Sequence, residues 1–329
     1  MRRVFLFLLL IAAAALADAF VWERMNFVAP GPKAAKGEET VVLIQPGEGV
    51  SAIAQDLAKA RVIDDAMLFS LGVRIRGIGG RLKAGEYAVP SRASMADVAG
   101  ILIAGTSIEH KLTVAEGLTS QMAYDLVKAD PVLTGDAGPV PLEGSLLPET
   151  YLFTRGTTRA QLIARMMKAE DDLLTKLWAG RDKDLPLKTP LEAVTLASVV
   201  EKETAVPAER AHIAAVFENR LKLGMKLQSD PTIIYGLTRG YPLGRGIRES
   251  EIAKPTAYNT YIITGLPPGP ICNPGEASLY AVLHPDKSKD LYFVADGDGG
   301  HVFAATMAEH QKNVARWRKV ERDEKAAPR

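Results

Sequence analysis

Glu201 and Glu203 close a long apolar run, LEAVTLASVVEKET, that spans Leu191 to Thr204 and reads as a mostly buried helix with two carboxylates at its exit. Burying a carboxylate is costly unless something uses it. A carboxyl at a helix C-terminus also meets the negative end of the helix dipole, which disfavours its charged form. Both effects raise its pKa toward the range of a general acid that protonates a leaving glycosidic oxygen. Residues three and four apart share a helical face, and residues two apart do not. Glu203 continues the stripe of Leu196, Val199 and Val200, whereas Glu201 follows the smaller and more polar Val194, Ala197 and Ser198. The spacing predicts Glu203 as the desolvated carboxyl and Glu201 as a pairing or orienting group. The pattern alone leaves a plainer reading open, in which both are ordinary helix-end glutamates with Lys202 and Arg210 as solvated partners.

A second cluster sits on loops. From Gln228 to Gly275 the chain is rich in Pro, Gly, Tyr, Asn and Thr with little periodicity, and loops that long inside a compact domain are usually functional. Gln228, Ser229, Asp230 and Thr232, then Tyr258, Asn259 and Tyr261, offer aromatic faces that stack on sugar rings and polar groups that bind hydroxyls and acetamides. Packing for the two tyrosines, and an N-cap before Pro231 for Asp230, are the plain alternatives. Gly265 to Pro270 forms a stiff turn suited to wall a groove.

Several elements must position these residues. Val41 to Ile44 reads as a strand, Val50 to Ala60 as a helix, and Asp64 as the cap of a second helix through Phe69 to Val73. Leu82 to Tyr87 is a turn into a strand through Val89, and Ser94 caps a helix that Gly105 ends after Ala104. Ile108 to Val114 reads as a strand, Gln121 to Lys128 as a helix, and Thr134 to Gly144 as a loop. Helices follow over Thr158 to Leu177, over Leu191 to Glu203, and from Pro207 to a stop at Gly224. Leu291 to Val294 and His301 to Phe303 flank DGDGG as a hairpin, and a last helix covers Met307 to Glu324.

Lys plus Arg number 40 against 39 for Asp plus Glu, so no global basic field points to nucleic acid. The single Cys272 forms no internal disulfide and suits a small apolar packing role. His212, His284 and His301 lack H-E-x-x-H spacing, and Gly77, Gly79 and Gly80 are followed by no phosphate-loop Lys-Ser/Thr, so neither a metal nor a nucleotide cofactor is expected. At the front, Arg2 and Arg3 precede an apolar stretch from Val4 to Trp22 broken only by Asp18. Its length suits a membrane anchor with a cytoplasmic N-terminus, which needs about 17–25 residues. Ala15-Leu16-Ala17 alternatively closes a cleavable signal peptide.

The strand–helix–helix–strand order around KAGEY, Lys83 to Tyr87, resembles a LysM-like module, a small glycan-binding unit. The blocks ASVVEKETAVPAERAHIAAVFENRL, GMKLQSDPTIIYGL, KPTAYNTYIITGLPPGPICNPG and LYFVADGDGGHVF together resemble the endolytic murein transglycosylases of the YceG-like family, in order and over nearly the whole chain. The resemblance implies an α+β chain with an N-terminal transmembrane helix over residues 1–22 and a linker over 23–39. A LysM-like βααβ domain over 40–107, a connector over 108–145 and a larger mixed α/β catalytic domain over 146–324 would follow. It implies a bacterial inner-membrane enzyme with a periplasmic catalytic domain, acting on peptidoglycan glycan strands, with peptidoglycan synthases as candidate partners. Carried over by position, the catalytic residue is the second glutamate of EKET, Glu203. By their side-chain chemistry Gln228, Ser229, Asp230, Thr232, Tyr258, Asn259 and Glu149 are the expected substrate-binding set, with Glu201 in support. The block LEGSLLPETY, Leu142 to Tyr151, departs from the family, whose members often carry aromatics where Ser145 and Leu146 stand and Asp where Glu149 stands. The implied reaction cleaves the MurNAc–GlcNAc β-1,4 bond, leaves a 1,6-anhydro-MurNAc end and terminates nascent strands. A muramidase using Glu203 with Asp230 or Glu149, or a non-catalytic glycan-binding scaffold, are the alternatives.

Overall fold

The computed structural model describes the backbone of residues 2–326 and the side chains of residues 10–322. A leading helix, α1 (Arg2–Val28), is followed by β1 (Glu39–Ile44), α2 (Val50–Lys59), α3 (Ala66–Ile75), β2 (Gly85–Pro90) and α4 (Met95–Ala104). Next come β3 (Glu109–Thr113), α5 (Ser120–Ala129), β4 (Thr150–Thr154) and α6 (Arg159–Gly180). Then follow α7 (Pro190–Glu203), α8 (Arg210–Lys222), α9 (Asp230–Thr238), α10 (Glu249–Ile252) and α11 (Glu276–Leu283). The strands β5 (Tyr292–Ala295) and β6 (His301–Ala304) and the helix α12 (Met307–Ala326) complete the order. The strands pair as three two-stranded sheets, β1–β2, β3–β4 and β5–β6, giving a mixed α+β fold. The chain divides into a smaller unit, residues 1–110 with 152–157, and a larger one, residues 111–151 with 158–329.

In the smaller unit β1 and β2 run antiparallel with Val42 opposite Tyr87 and Ile44 opposite Gly85. α2 and α3 stand between them in sequence, so the βααβ order expected from the sequence is present. Alternation along the strands sends Val42, Ile44, Tyr87 and Val89 into a core shared with Ile53, Leu57, Phe69, Val98 and Leu102. Ser94 and Asp97 form a reciprocal capping box, and Gly105 ends α4 at φ 73°, a left-handed conformation that glycine adopts without a Cβ clash. The cap of α3 is Asp65, one residue beyond the expected Asp64, because its carboxylate accepts from the Met67 and Leu68 amides.

The expected bilayer-spanning anchor is corrected. Among the described residues no helix is long and apolar enough to cross a membrane. α1 does not stop at Trp22 but continues through Glu23 and Arg24 to Val28. Its last turns belong to the smaller unit. Phe27 is 1% exposed and lies against Phe69, with ring centroids 6.1 Å apart, while the Glu23 carboxylate accepts from Arg76 at 2.6 Å. Gly72 on α3 makes room for this contact, since a Cβ there would meet the Phe27 ring at 2.3 Å. The side chains of Arg2, Arg3 and the start of the apolar stretch lie outside the described residues. The inner-membrane and periplasmic placement drawn from the anchor goes with it.

The larger unit is built around α7. Thr189 and Glu192 form a capping box at its start, with Pro190 in the first turn. Every residue from Ala193 to Val200 is buried, so the helix is enclosed on all sides rather than along one stripe. α6, α8 and α11 supply much of the surrounding core through Leu177, Ile213, Phe217, Leu279 and Val282. Cys272 is buried, its thiol donating to the Ser198 carbonyl at 3.4 Å, and burial pushes its pKa up, so it packs rather than reacts. The stretch expected to be one long loop contains α9 and α10, and α11 starts directly after it.

Candidate active site

Because α7 is buried from Ala193 to Val200, its C-terminal end is anchored by the core of the larger unit. Glu203 ends that helix and lines a cleft of about 560 Å³ in the larger unit, with Arg220, Gln228, Asp230, Tyr261, Tyr292 and His310 among its walls. Protein atoms crowding its carboxyl push the pKa up from 4.5 to about 7. A hydrogen bond from the Ser229 hydroxyl opposes that rise, as do His301 and Arg220, and Asp230 adds to it.

The chain after α8 brings the other groups to this carboxyl. Leu227 is buried, and Gln228 turns the backbone through a left-handed φ of 53°, after which Ser229 faces Glu203. The Ser229 amide is fixed by the Thr260 hydroxyl at 2.9 Å. Asp230 starts α9, with Pro231 in its first turn, and its carboxylate accepts from the Tyr261 hydroxyl at 2.7 Å. Arg220 on α8 donates to the Leu227 and Leu291 carbonyls, each at 2.6 Å, and so ties the loop before Ser229 to the strand that carries Tyr292. The β5–β6 hairpin is seated on α8 by Phe293 edge-on to Phe217 at 5.8 Å and by Phe303 stacked on His212 at 3.8 Å. His301 on β6 is held by Glu209 through its ring, at 2.7 Å, and its amide, at 2.8 Å. Burial alone would raise the Glu209 pKa, but those bonds from His301 outweigh it and leave it lowered.

The residues singled out by sequence separate into two groups. Glu203, Ser229, Gln228 and Asp230 come together at the cleft. Thr232 and Asn259 are fully buried and engaged elsewhere: the Thr232 hydroxyl donates to the Ser229 carbonyl at 2.6 Å, and the Asn259 amide donates to the Ile252 and Lys254 carbonyls. They shape the loops that carry the cleft. Tyr258 packs on Tyr235 with ring centroids 4.7 Å apart, and Glu149 is exposed on the approach to β4. Neither lines the cleft. Glu201 points away from Glu203, accepting from the Gly275 amide at 3.0 Å and facing Arg210 at 3.8 Å. Replacing it with Gln removes a charge but keeps an acceptor for Gly275, so Glu201→Gln should cost less than about tenfold in kcat, checked by initial rates on purified glycan strands.

Arg220, Tyr292 and His310 were not anticipated. Arg220 carried a readable signal: it continues the apolar stripe of Ile213, Val216 and Phe217, where a solvated charge does not belong. Tyr292 and His310, stacked with centroids 5.1 Å apart, are joined only by the packing of α12 on the hairpin, which no local pattern announces.

The sequence model of the YceG-like family matches residues 42–316. The chain is 34% identical over 301 residues to the endolytic murein transglycosylase of Bacillus subtilis strain 168, a match covering 82% of this chain and 82% of that protein. It is 30% identical over 321 residues to the endolytic murein transglycosylase of Streptococcus pneumoniae serotype 2 strain D39, covering 83% of this chain and 57% of that longer protein. Its fold is similar to the 2.6 Å crystal structure of a YceG-like protein from Listeria monocytogenes, with a TM-score of 0.50, 30% identity, and coverage of 84% of this chain and 99% of that one.

Proposed function

The chain belongs to the YceG-like family, and from that premise we propose that it is an endolytic murein transglycosylase in which Glu203 acts alone as acid and then base. What carries this reading is the Glu203 carboxyl in the cleft, which burial pushes up to about 7, so that a substantial fraction is protonated at neutral pH. Glycosidases normally need two carboxylates, the second to activate water or attack the sugar. A transglycosylase manages with one. The Glu203 proton passes to the glycosidic oxygen as the bond to C1 of MurNAc breaks. The Glu203 carboxylate then takes the proton of the MurNAc C6 hydroxyl while that oxygen bonds to C1 and closes the anhydro ring. No water enters, and Glu203 ends as it began.

Digestion of purified glycan strands tests reaction and assignment together. Mass spectrometry should find new 1,6-anhydro-MurNAc ends, and kcat/KM should fall as pH rises through about 7, because the acid form is the one that starts the reaction. A product heavier by one water would instead indicate a muramidase, for which Asp230, held beside the acid by Tyr261, is the available second carboxylate.

The βααβ order of the smaller unit supports reading residues 40–107 as a LysM-like module that holds glycan, with residues 146–324 as the catalytic domain. Termination of nascent strands, with peptidoglycan synthases as protein partners, accords with the same family reading.

A further inference from the structure

Buried charges are normally paired, because an isolated one loses its hydration without compensation. Arg220 is 7% exposed, yet among the described residues it forms no salt bridge. Two of its N–H groups are used on the Leu227 and Leu291 carbonyls, and its Cζ lies 5.5 Å from the Tyr292 ring centroid. It also lines the cleft that Glu203 lines. A guanidinium has five N–H donors, so part of its fork remains for the cleft. The resting acid is the neutral form of Glu203, and the buried cation lining the same cleft is most at odds with its surroundings in that state. Once the proton has gone to the leaving oxygen, a carboxylate stands in the same pocket and the two charges compensate.

We propose that Arg220 is a positioning residue that stabilises the carboxylate form of Glu203 between the two half-reactions while clamping the two cleft edges around it. The proton is never on Arg220; it goes from Glu203 to the glycosidic oxygen, and the C6 hydroxyl returns one to Glu203. Besides Arg220, the groups acting on Glu203 are the Ser229 hydroxyl and His301, which favour the anion, and Asp230, which opposes it. Burial pulls the pKa of Arg220 down, while the half-buried Tyr292 and Tyr261 and Glu203 itself act the other way. Preorganised charge aimed at the ionic state that forms during reaction is the usual source of large rate effects in dry sites.

The test uses the full chain on purified glycan strands, with kcat and kcat/KM followed from about pH 5 to 9. Arg220→Gln should lower kcat about 10²-fold and move the alkaline limb of the profile to higher pH, since the neutral acid is no longer pulled toward ionisation. Arg220→Lys keeps the charge without the two-carbonyl fork; its limb should stay at the wild-type position with kcat between the other two. A folded Arg220→Gln enzyme whose limb does not move overturns the proposal. If Arg220→Gln does not fold, Arg220→Lys decides alone: a shifted limb, or wild-type kcat, overturns it. The inference rests on Glu203 being the acid. An active Glu203→Gln enzyme would remove that assignment, whereas a dead Glu203→Gln with an unmoved limb in Arg220→Gln removes only the role of Arg220.

Discussion

Glu203→Gln should lower the yield of anhydro-ended products from purified glycan strands by about 10³–10⁴-fold, with the circular dichroism spectrum and glycan binding preserved. The loss lies at the upper end for one acid–base group because the same carboxyl serves both proton transfers. Gln keeps the shape of the side chain and an oxygen that accepts from Ser229, so the loop bearing Ser229 has no reason to move. The variant also removes a carboxyl whose ionisation is disfavoured where it sits, so the thermal midpoint should hold or rise. More than a tenth of wild-type product, measured by chromatography and mass spectrometry, would exclude Glu203 as the acid.

The second large effect concerns stability. Glu218 on α8 is 1% exposed, and neither carboxyl oxygen has a hydrogen-bond partner among the described residues. Burial pushes its pKa from 4.5 to about 8; Lys222, 3.9 Å away, pulls it down, and Asp182 pushes it further up. The folded pKa thus exceeds the unfolded one, so the folded state holds a proton the unfolded state has released. The stability this brings is complete below about pH 4.5 and is lost as pH rises through about 8. The loss is on the order of 4–5 kcal/mol over that window, and Glu170, buried with a pKa of about 7, adds to it in the same direction. Glu218→Gln should flatten the decline and leave the variant more stable than wild type at pH 8, as read from denaturant midpoints of the larger unit at about pH 5 and pH 8. Equal pH slopes in the two proteins would refute this account.

The desolvated carboxyl of Glu203 was legible because its signal is local. In a helix rich in Leu, Val and Ala, a glutamate on the bulkiest face follows that face toward the core, and Leu196, Val199 and Val200 are indeed wholly buried. The Ser94 and Gly105 boundaries of α4 were legible for the same reason, since caps act within a few residues. α9 was hidden because Asp230 to Thr238 mixes a proline, a glycine and β-branched residues, and is helical through its contacts rather than its propensity. Asn259 and Thr232 look like ligands for sugar in a sequence. Their partners are a backbone carbonyl, as with the Ile252 and Lys254 oxygens, or another buried hydroxyl, as with Thr260, and composition does not reveal either. The front of the chain misled because an apolar run carries no mark of the contacts its neighbours make. Glu23 and Phe27 decide its fate, and they do so by finding Arg76 and Phe69 many residues later.

That arrangement also bears on how the protein can be trimmed. Cutting away the greasy leader at the end of its apolar run leaves Glu23 to Val28 as a short stub without the preceding turns that keep it helical, and cutting at the linker removes it altogether. Either way a slot opens beside Gly72, a glycine with no side chain of its own to fill the vacated space. A shortened version that keeps the small unit sound must therefore begin well ahead of Glu23.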